Sequence, residues 1–497
     1  MWSTGLLVAA AAYASTAFAV SRPKNFIFIV PDGMSPASQT LARTYLNALS
    51  SGMGIDQLVR FSVITWEEVT LLIQFQPIGN TRTHSANNLV TDSAAAGTAL
   101  ATGFKTDNGA LGVLPDGQPV GSIMEAAKMD GYLTALVVTS IINHATPAAY
   151  SSHSVSRNAL PQIAEQQIGY SHPLNQSVDI LLGGGRCYFM PSSNEDSCRE
   201  DDIDLFKYAE ERGYYVAQDR DAFDRLEKGK GSIQLPYIGL FNDGDLVYDI
   251  DRKQQPESER EPSLSEMTST ALESLKRGVE CRGRKCPKDK KGYFMMIESS
   301  RIDHSSHAHD GAAHLGDVLE YNRVMDLVKA WIDSNPDTMM ISVADHETGG
   351  LTLPSGYNVG VLAGPSQSVE HLTARWEEFT GSDRRGFLTS DILPAYGITG
   401  ATDAEISALL SAGEEFGQTL ADTLNSRSGL EWSTGGHSGV DTTLFGYAKG
   451  KMGEELKVAL AGNHDNVELP RFIEDLMRLD MDKVTRELRA KGTDWIP

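Results

Sequence analysis

Four short apolar runs constrain this chain most: Phe26–Val30, Leu133–Val138, Tyr293–Ile297 and Met339–Val343. None alternates polar with apolar residues, so each reads as a strand buried on both faces of a parallel sheet. Amphipathic helices lie between them. Ser122-x-x-Glu125 is a capping box, with Gly131 as its stop, and Ser263-x-x-Glu266 opens a second helix that carries Leu264, Met267, Ala271 and Leu275 on one face. Val318–Ile332 continues the pattern, and Pro470 reads as a first helical residue ahead of Phe472, Ile473, Leu476 and Met477. Strands alternating with helices predict a doubly wound α/β fold, a central and mostly parallel sheet flanked by helices. The Gly-, Ser- and Thr-rich stretch from Gly350 to Gly429, with helix signals such as Asp403–Leu410, reads as an insertion on one core.

Each run leads into a polar or metal-competent group. Phe26–Val30 reaches Asp32, Leu133–Val138 reaches His144 and Thr146, Tyr293–Ile297 ends at Glu298, and Met339–Val343 ends at Asp345-His346. Ligands of open α/β sheets bind outside the carboxyl ends of the strands, so these groups are expected to converge. One such acid is usually a turn residue or helix cap; four at corresponding ends are hard to read that way. Asp303-x3-His307 places a carboxylate and an imidazole on one helical face, the pattern of a zinc ligand pair or of a surface ion pair. His437, in Gly435-Gly436-His437-Ser438-Gly439, is an imidazole on a loop that could close a site.

In Val90–Ala101 a serine, Ser93, follows Asp92 at the start of an alanine-rich helix. It is either an ordinary helix cap or a nucleophile aimed at an anion held by the helix N-terminus. Nitrogen and oxygen donors suit zinc together with a harder magnesium ion, and paired zincs suit in-line phosphoryl transfer. Arg157 would clamp the phosphate oxygens, or is a plain surface arginine.

A formal charge of −23 over 497 residues argues against nucleic acid or an anionic membrane as the main partner. Any attraction for an anion must then be local, from metals or single arginines. Residues 1–19 read as a signal peptide: Leu6–Ala14 is apolar but too short to span a bilayer, and Ala17-Phe18-Ala19 suits cleavage before Val20. A secreted or periplasmic chain without a membrane anchor is expected. Four cysteines in two close pairs, Cys187/Cys198 and Cys281/Cys286, suit local disulfides in an oxidising compartment, although Cys281-x4-Cys286 also permits zinc. Asn175-Gln176-Ser177 is a glycosylation sequon.

Six motifs, in order, resemble the alkaline phosphatase family: Pro31-Asp32-Gly33-Met34; Thr91-Asp92-Ser93-Ala94-Ala95; His144-Ala145-Thr146-Pro147; Arg301-Ile302-Asp303-His304-x2-His307; Ala344-Asp345-His346-Glu347-Thr348-Gly349-Gly350; and Gly435-Gly436-His437-Ser438. The resemblance covers nearly the whole of residues 20–497. It implies a non-specific phosphomonoesterase in which Ser93 forms a phosphoserine intermediate and Arg157 holds the phosphate. It implies one zinc on Asp303, His307 and His437, and a second on Asp32, Asp345 and His346 that Ser93 joins in catalysis. Asp32 would bridge to a magnesium ion completed by Thr146 and Glu298. His144 and His304 match positions near the magnesium and the phosphate that are histidine in animal enzymes, where the enteric bacterial enzyme has aspartate and lysine. The family's variable crown corresponds to 350–429 and often lies at a dimer interface, which implies a homodimer. Beside Gly239-Leu240-Phe241, Asn242 replaces the acidic residue of the animal calcium site, with Glu261 near another ligand position, and this counts against calcium. Glu347, His153, His84 and His309 read as structural or surface groups.

Two relatives of the reaction and one non-enzyme compete with this reading. A sulfatase needs Cys/Ser-x-Pro-x-Arg, which Asp92-Ser93-Ala94-Ala95 is not. A related phosphodiesterase usually has a threonine nucleophile and lacks the third metal, whereas Thr146 and Glu298 are both present. A catalytically silent metal- or phosphate-binding protein would be expected to have lost a ligand, and none is missing.

Overall fold

The computed structural model describes residues 20–50, 77–233, 235–281 and 291–497. The expected signal peptide, and Cys286 with its expected bond to Cys281, lie outside the described residues. Cys187 and Cys198 form a disulfide. Among the described residues no helix is long and apolar enough to cross a membrane.

Ten strands form one sheet. In chain order they are β1 Asn25–Val30, β2 Pro77–Arg82, β3 Leu133–Ile141, β4 Ile180–Gly184, β5 Tyr215–Ala217, β6 Tyr237–Leu240, β7 Tyr293–Glu298, β8 Thr338–Ser342, β13 Thr442–Ala448 and β14 Gly462–Asp465. Four two-residue strands complete the numbering: β9 Glu347–Thr348, β10 Leu351–Thr352, β11 Glu431–Trp432 and β12 His437–Ser438. The sheet order is β14-β2-β13-β8-β1-β7-β3-β4-β6-β5. Every neighbouring pair is parallel except those that β13 makes with β8 and β2. The four apolar runs become β8, β1, β7 and β3, adjacent at the centre, where both faces are covered.

Side chains alternate across the sheet, so the two faces feed two packed clusters. Ile27, Ile29, Val137, Met295 and Met340 join one, against the helices Leu264–Glu280 and Gly311–Ser334. Phe26, Phe28, Val138, Met296 and Ile341 join the other, against Ser93–Thr102, Ile123–Met129 and Glu468–Met477. Ser122 and Ser263 cap their helices with complete capping boxes. Pro470 lies within the helix Glu468–Met477 and not at its first position.

The stretch from 350 to 429 is more helical than its composition suggested, with Val369–Glu378, Asp403–Ser411 and Phe416–Ser428 as its longest helices. Its buried side chains, among them Leu372, Trp376, Tyr396 and Phe416, join the same cluster as Ile27 and Ile29. At its base β10 and β11 pair antiparallel, Leu351 opposite Trp432.

Candidate functional site

Register places the polar residues together. In the parallel pair β1–β7, Val30 lies opposite Glu298, so the turn that carries Asp32 begins where β7 delivers Glu298. Gly33 follows with φ +71, and an added Cβ would lie 2.8 Å from the Asp303 Cα. That close approach lets the Gly33 N–H donate to Asp345 Oδ1 at 3.2 Å. The helix Ser93–Thr102 also lies close to its neighbour Ala145–Ser151, though less tightly, since a Cβ on Gly97 would come 3.3 Å from the Thr146 Cα.

Asp92 is the cap of the Ser93 helix, accepting the Ala95 N–H at 3.0 Å. Ser93 is therefore the first helical residue and not the cap, which leaves its hydroxyl for the site. The oxygen lies 3.0 Å from His346 Nε2. His437 sits on a short strand and not a free loop: β12 pairs with β9, His437 opposite Thr348.

Asp32, Asp345 and His346 converge, their ligand atoms within 4.8 Å of one another, and so do Asp303, His346 and His437. His307 Nε2 lies 3.3 Å from Asp303 Oδ2 and 3.2 Å from His437 Nε2. The outward ring nitrogens are held by oxygens. His307 Nδ1 meets the Gly435 carbonyl at 2.7 Å and His437 Nδ1 meets the Thr91 carbonyl at 2.8 Å, so each Nδ1 donates outward and each Nε2 faces the carboxylates, where loss of its proton would free a lone pair for a cation. Thr348, which sequence reasoning quoted but gave no role, donates its hydroxyl to Asp303 and lies 3.2 Å from His346 Nδ1.

The chemistry of these donors fits metal cations. Both oxygens of Asp32, both of Glu298, Asp345 Oδ2 and the Thr146 hydroxyl are buried without a hydrogen-bond partner. Unpaired buried carboxylates are costly unless a cation or proton meets them. Burial first, then Asp345, Asp303 and Glu298, pushes Asp32 well above the carboxylate range, and burial pushes Glu298 up to about 8 and Asp345 up to about 6. Its hydrogen bond to Asp303 raises His307 to about 9, whereas burial pushes His346 well down. One lobe offers nitrogen with carboxylate oxygen, and Asp32, Thr146 and Glu298 offer oxygen alone.

Arg157 is partly exposed beside the Ser93 helix. Its Nη1 donates to Asp92 Oδ2 at 3.0 Å, and its Nη2 lies 3.2 Å from His144 Nε2. Asp92 thus holds both the helix and the guanidinium, a role carried by the quoted Asp92-Ser93 motif and not read from it. Burial and the Arg157 charge push His144 down to about 3, and its ring meets His304 edge-on at 5.5 Å. Asp245 lies 3.4 Å from His304 Nδ1. At the position read against calcium, Glu261 is already occupied: Oε1 accepts from Asn242 Nδ2 at 2.7 Å and Oε2 from Val247 N–H at 2.9 Å.

The geometry therefore gathers all twelve residues singled out in the sequence around one set of buried acids and imidazoles. Comparison with known proteins identifies the family. The family model described as "Alkaline phosphatase" matches residues 23–479. "Alkaline phosphatase" of Schizosaccharomyces pombe is 37% identical over 483 residues, covering 94% of this chain and 84% of its own. "Repressible alkaline phosphatase" of Saccharomyces cerevisiae is 36% identical over 497 residues, with the same coverage. The crystal structure of Thermus thermophilus alkaline phosphatase superposes with a TM-score of 0.75 at 27% identity, covering 98% of this chain and all of that one. Ligand-competent side chains at the carboxyl ends of the central strands, in a chain whose residues 23–479 match the family model, lead to one conclusion: this chain belongs to the alkaline phosphatase family.

Proposed function

We propose that the protein hydrolyses phosphomonoesters without strong regard to the leaving group, through a phosphoserine intermediate on Ser93. The observation that carries this is the Ser93 hydroxyl 3.0 Å from His346 Nε2, in a site where both carboxylate oxygens of Asp32 and of Glu298 are buried without a hydrogen-bond partner. Asp303, His307 and His437 would hold one zinc ion, Asp32, Asp345 and His346 a second, and Asp32, Thr146 and Glu298 a magnesium ion. When bound, these ions supply positive charge to the transferring phosphoryl group and favour the ionised hydroxyl.

The chain's own groups do the rest. Ser93 Oγ attacks phosphorus from the N-terminus of its helix, the phosphorus–oxygen bond to the alcohol breaks, and the alcohol leaves with a proton. Water then attacks the phosphoserine, inorganic phosphate departs, and the hydroxyl is regenerated. Arg157, steadied by Asp92, binds two non-bridging oxygens. His144 and His304 line the same side as positioning groups. We further read the mature protein as secreted or periplasmic after loss of residues 1–19, and as a homodimer in which the 350–429 crown contributes to the interface.

The test is hydrolysis of a chromogenic phosphomonoester from neutral pH to about pH 10 with zinc and magnesium present, beside diester and sulfate esters. Monoester turnover abolished by chelation and by Ser93→Ala is expected. Absence of turnover with the metals loaded would sink the reading, and preference for a diester would favour the phosphodiesterase alternative.

A further inference from the structure

Behind the phosphate side of the site lies a second buried ionisable group. Glu125, His153 and His172 are all buried, and Glu125 Oε1 lies 3.1 Å from the Nε2 of each imidazole. Glu125 Oε2 is taken by the Ser122 N–H at 2.8 Å, within the capping box. The far ring nitrogens fix the protons. His153 Nδ1 lies 2.7 Å from the Gly112 carbonyl, which only accepts, so Nδ1 carries a proton. His172 Nδ1 accepts the Leu174 N–H at 3.2 Å, so the proton of that ring sits on Nε2. A neutral His153 would then turn a lone pair toward a carboxylate. A second proton, on Nε2, converts that repulsion into a charge-assisted hydrogen bond.

The group is thus an imidazolium at His153, a carboxylate at Glu125 and a neutral His172. Burial opposes both charges, yet His153 holds Glu125 well below the carboxylate range and Glu125 raises His153, while burial lowers His172. The three ligand atoms lie within 4.8 Å of one another, but the proton on His172 Nε2 removes the lone pair a metal would need.

His153 also anchors the segment that ends in Arg157. Its backbone N–H and carbonyl are both taken by the Gln166 amide, at 2.7 and 2.9 Å. Leu111 and Ser154 exchange backbone hydrogen bonds at 2.8 and 2.9 Å, and the Arg157 N–H donates to the Gly109 carbonyl at 2.7 Å. Gly109 N–H in turn donates at 3.0 Å to Asp92 Oδ2, the oxygen that receives Arg157. Residues 109–112 and 153–157 therefore form a clasp, pinned at one end by His153 on Gly112 and at the other by Arg157 on Asp92. Trp495 closes the buried end, its ring 5.4 Å from His153 and 5.9 Å from His172.

We propose that His153, charged through Glu125, is a positioning residue that sets Arg157 against Asp92 and the Ser93 helix. This rests on the reading of Arg157 as the phosphate clamp. The test compares wild type, Glu125→Gln, Arg157→Ala and the double variant by competitive inhibition with inorganic phosphate, with bound metal measured by mass spectrometry. Glu125→Gln keeps the side chain's shape and removes its charge. It is expected to weaken phosphate about three- to tenfold with metal content unchanged, and to add nothing in the Arg157→Ala background. Additive losses in the double variant, or unchanged phosphate affinity in a folded Glu125→Gln protein, overturn the proposal. A divalent ion that wild type retains and Glu125→Gln loses also overturns it. If Arg157→Ala alone leaves phosphate affinity unchanged, the clamp reading falls and takes this inference with it, a result separable from the first two. Should Glu125→Gln not fold, Trp495→Leu loosens His153 from the opposite side and must show the same non-additivity.

Discussion

The Ser93 hydroxyl oxygen lies 3.0 Å from His346 Nε2, and that nitrogen lies 3.0 Å from Asp345 Oδ2. Nucleophile, imidazole and carboxylate therefore meet at a single buried point. Removing the hydroxyl leaves the imidazole and carboxylate where they are. Ser93→Ala is expected to lower kcat by about a thousandfold or more while retaining the bound metals. Acid quenching with labelled substrate should trap phosphoserine in wild type and none in the variant.

Arg157 owes its orientation to Asp92 Oδ2, 3.0 Å from Nη1. Losing a charge-assisted contact to phosphate costs about 2 kcal/mol, or about thirtyfold in affinity. Arg157→Ala should raise the inhibition constant of phosphate by about that factor. A kinetic comparison over a phosphate series checks it.

Metal removal should make stability depend on pH in a fixed direction. Without cations, Glu298 and Asp345 have folded pKa values raised above their ordinary 4.5 and 3.8. Stability from their protonated forms is full below those values and is lost as pH rises through about 8 and about 6. Chelated protein should therefore lose Tm between acidic pH and pH 8, and restored metal should give its largest gain at the alkaline end. Scanning calorimetry of loaded and chelated samples measures both.

Gly33 has a left-handed backbone and no room for a side chain, with Asp303 backbone 2.8 Å from a built Cβ. Gly33→Ala should destabilise by about 1–3 kcal/mol and shift Asp303, so that bound metal falls together with thermal stability. Metal analysis and thermal unfolding of the same preparation decide this.

The Glu125–His153 pair sets a different pH signature. Glu125, depressed, contributes stability above its ordinary 4.5 that is lost as pH falls. His153, raised, contributes stability that is full below its ordinary 6.5 and is lost as pH rises through the folded value. Lys128, Glu487 and Lys491 line the cavity on the outer side of Glu125. The Tm difference between wild type and Glu125→Gln should be greatest between about 4.5 and 6.5 and shrink on either side.

The central strands were legible because burial on both faces writes a continuous apolar run, as in Phe26–Val30 and Tyr293–Ile297. At one margin of the sheet that signal fails. β2 (PIGNTR) is half-exposed and β14 (GNHD) is polar, so neither has the composition of a strand. β4 and β6 end in or contain glycine and are only four or five residues long. The site was more legible than its frame, since Asp345-His346 and Glu298 mark strand ends directly. What sequence could not supply were partners distant along the chain. His153 was read as structural or surface, and only the fold reveals that it is buried and meets Glu125 and His172. Likewise Thr91 and Gly435 act on His437 and His307 through backbone carbonyls, which carry no residue signature.

The paired ribbons at the base of the 350–429 stretch have a consequence of their own. The chain departs for that excursion through β10 and returns through β11, which are zipped together, and the neighbouring ladder of β9 with β12 places His437 opposite Thr348. The two ladders act as a splice, so changes of length within the loop they close are expected to leave the His437 imidazole in place.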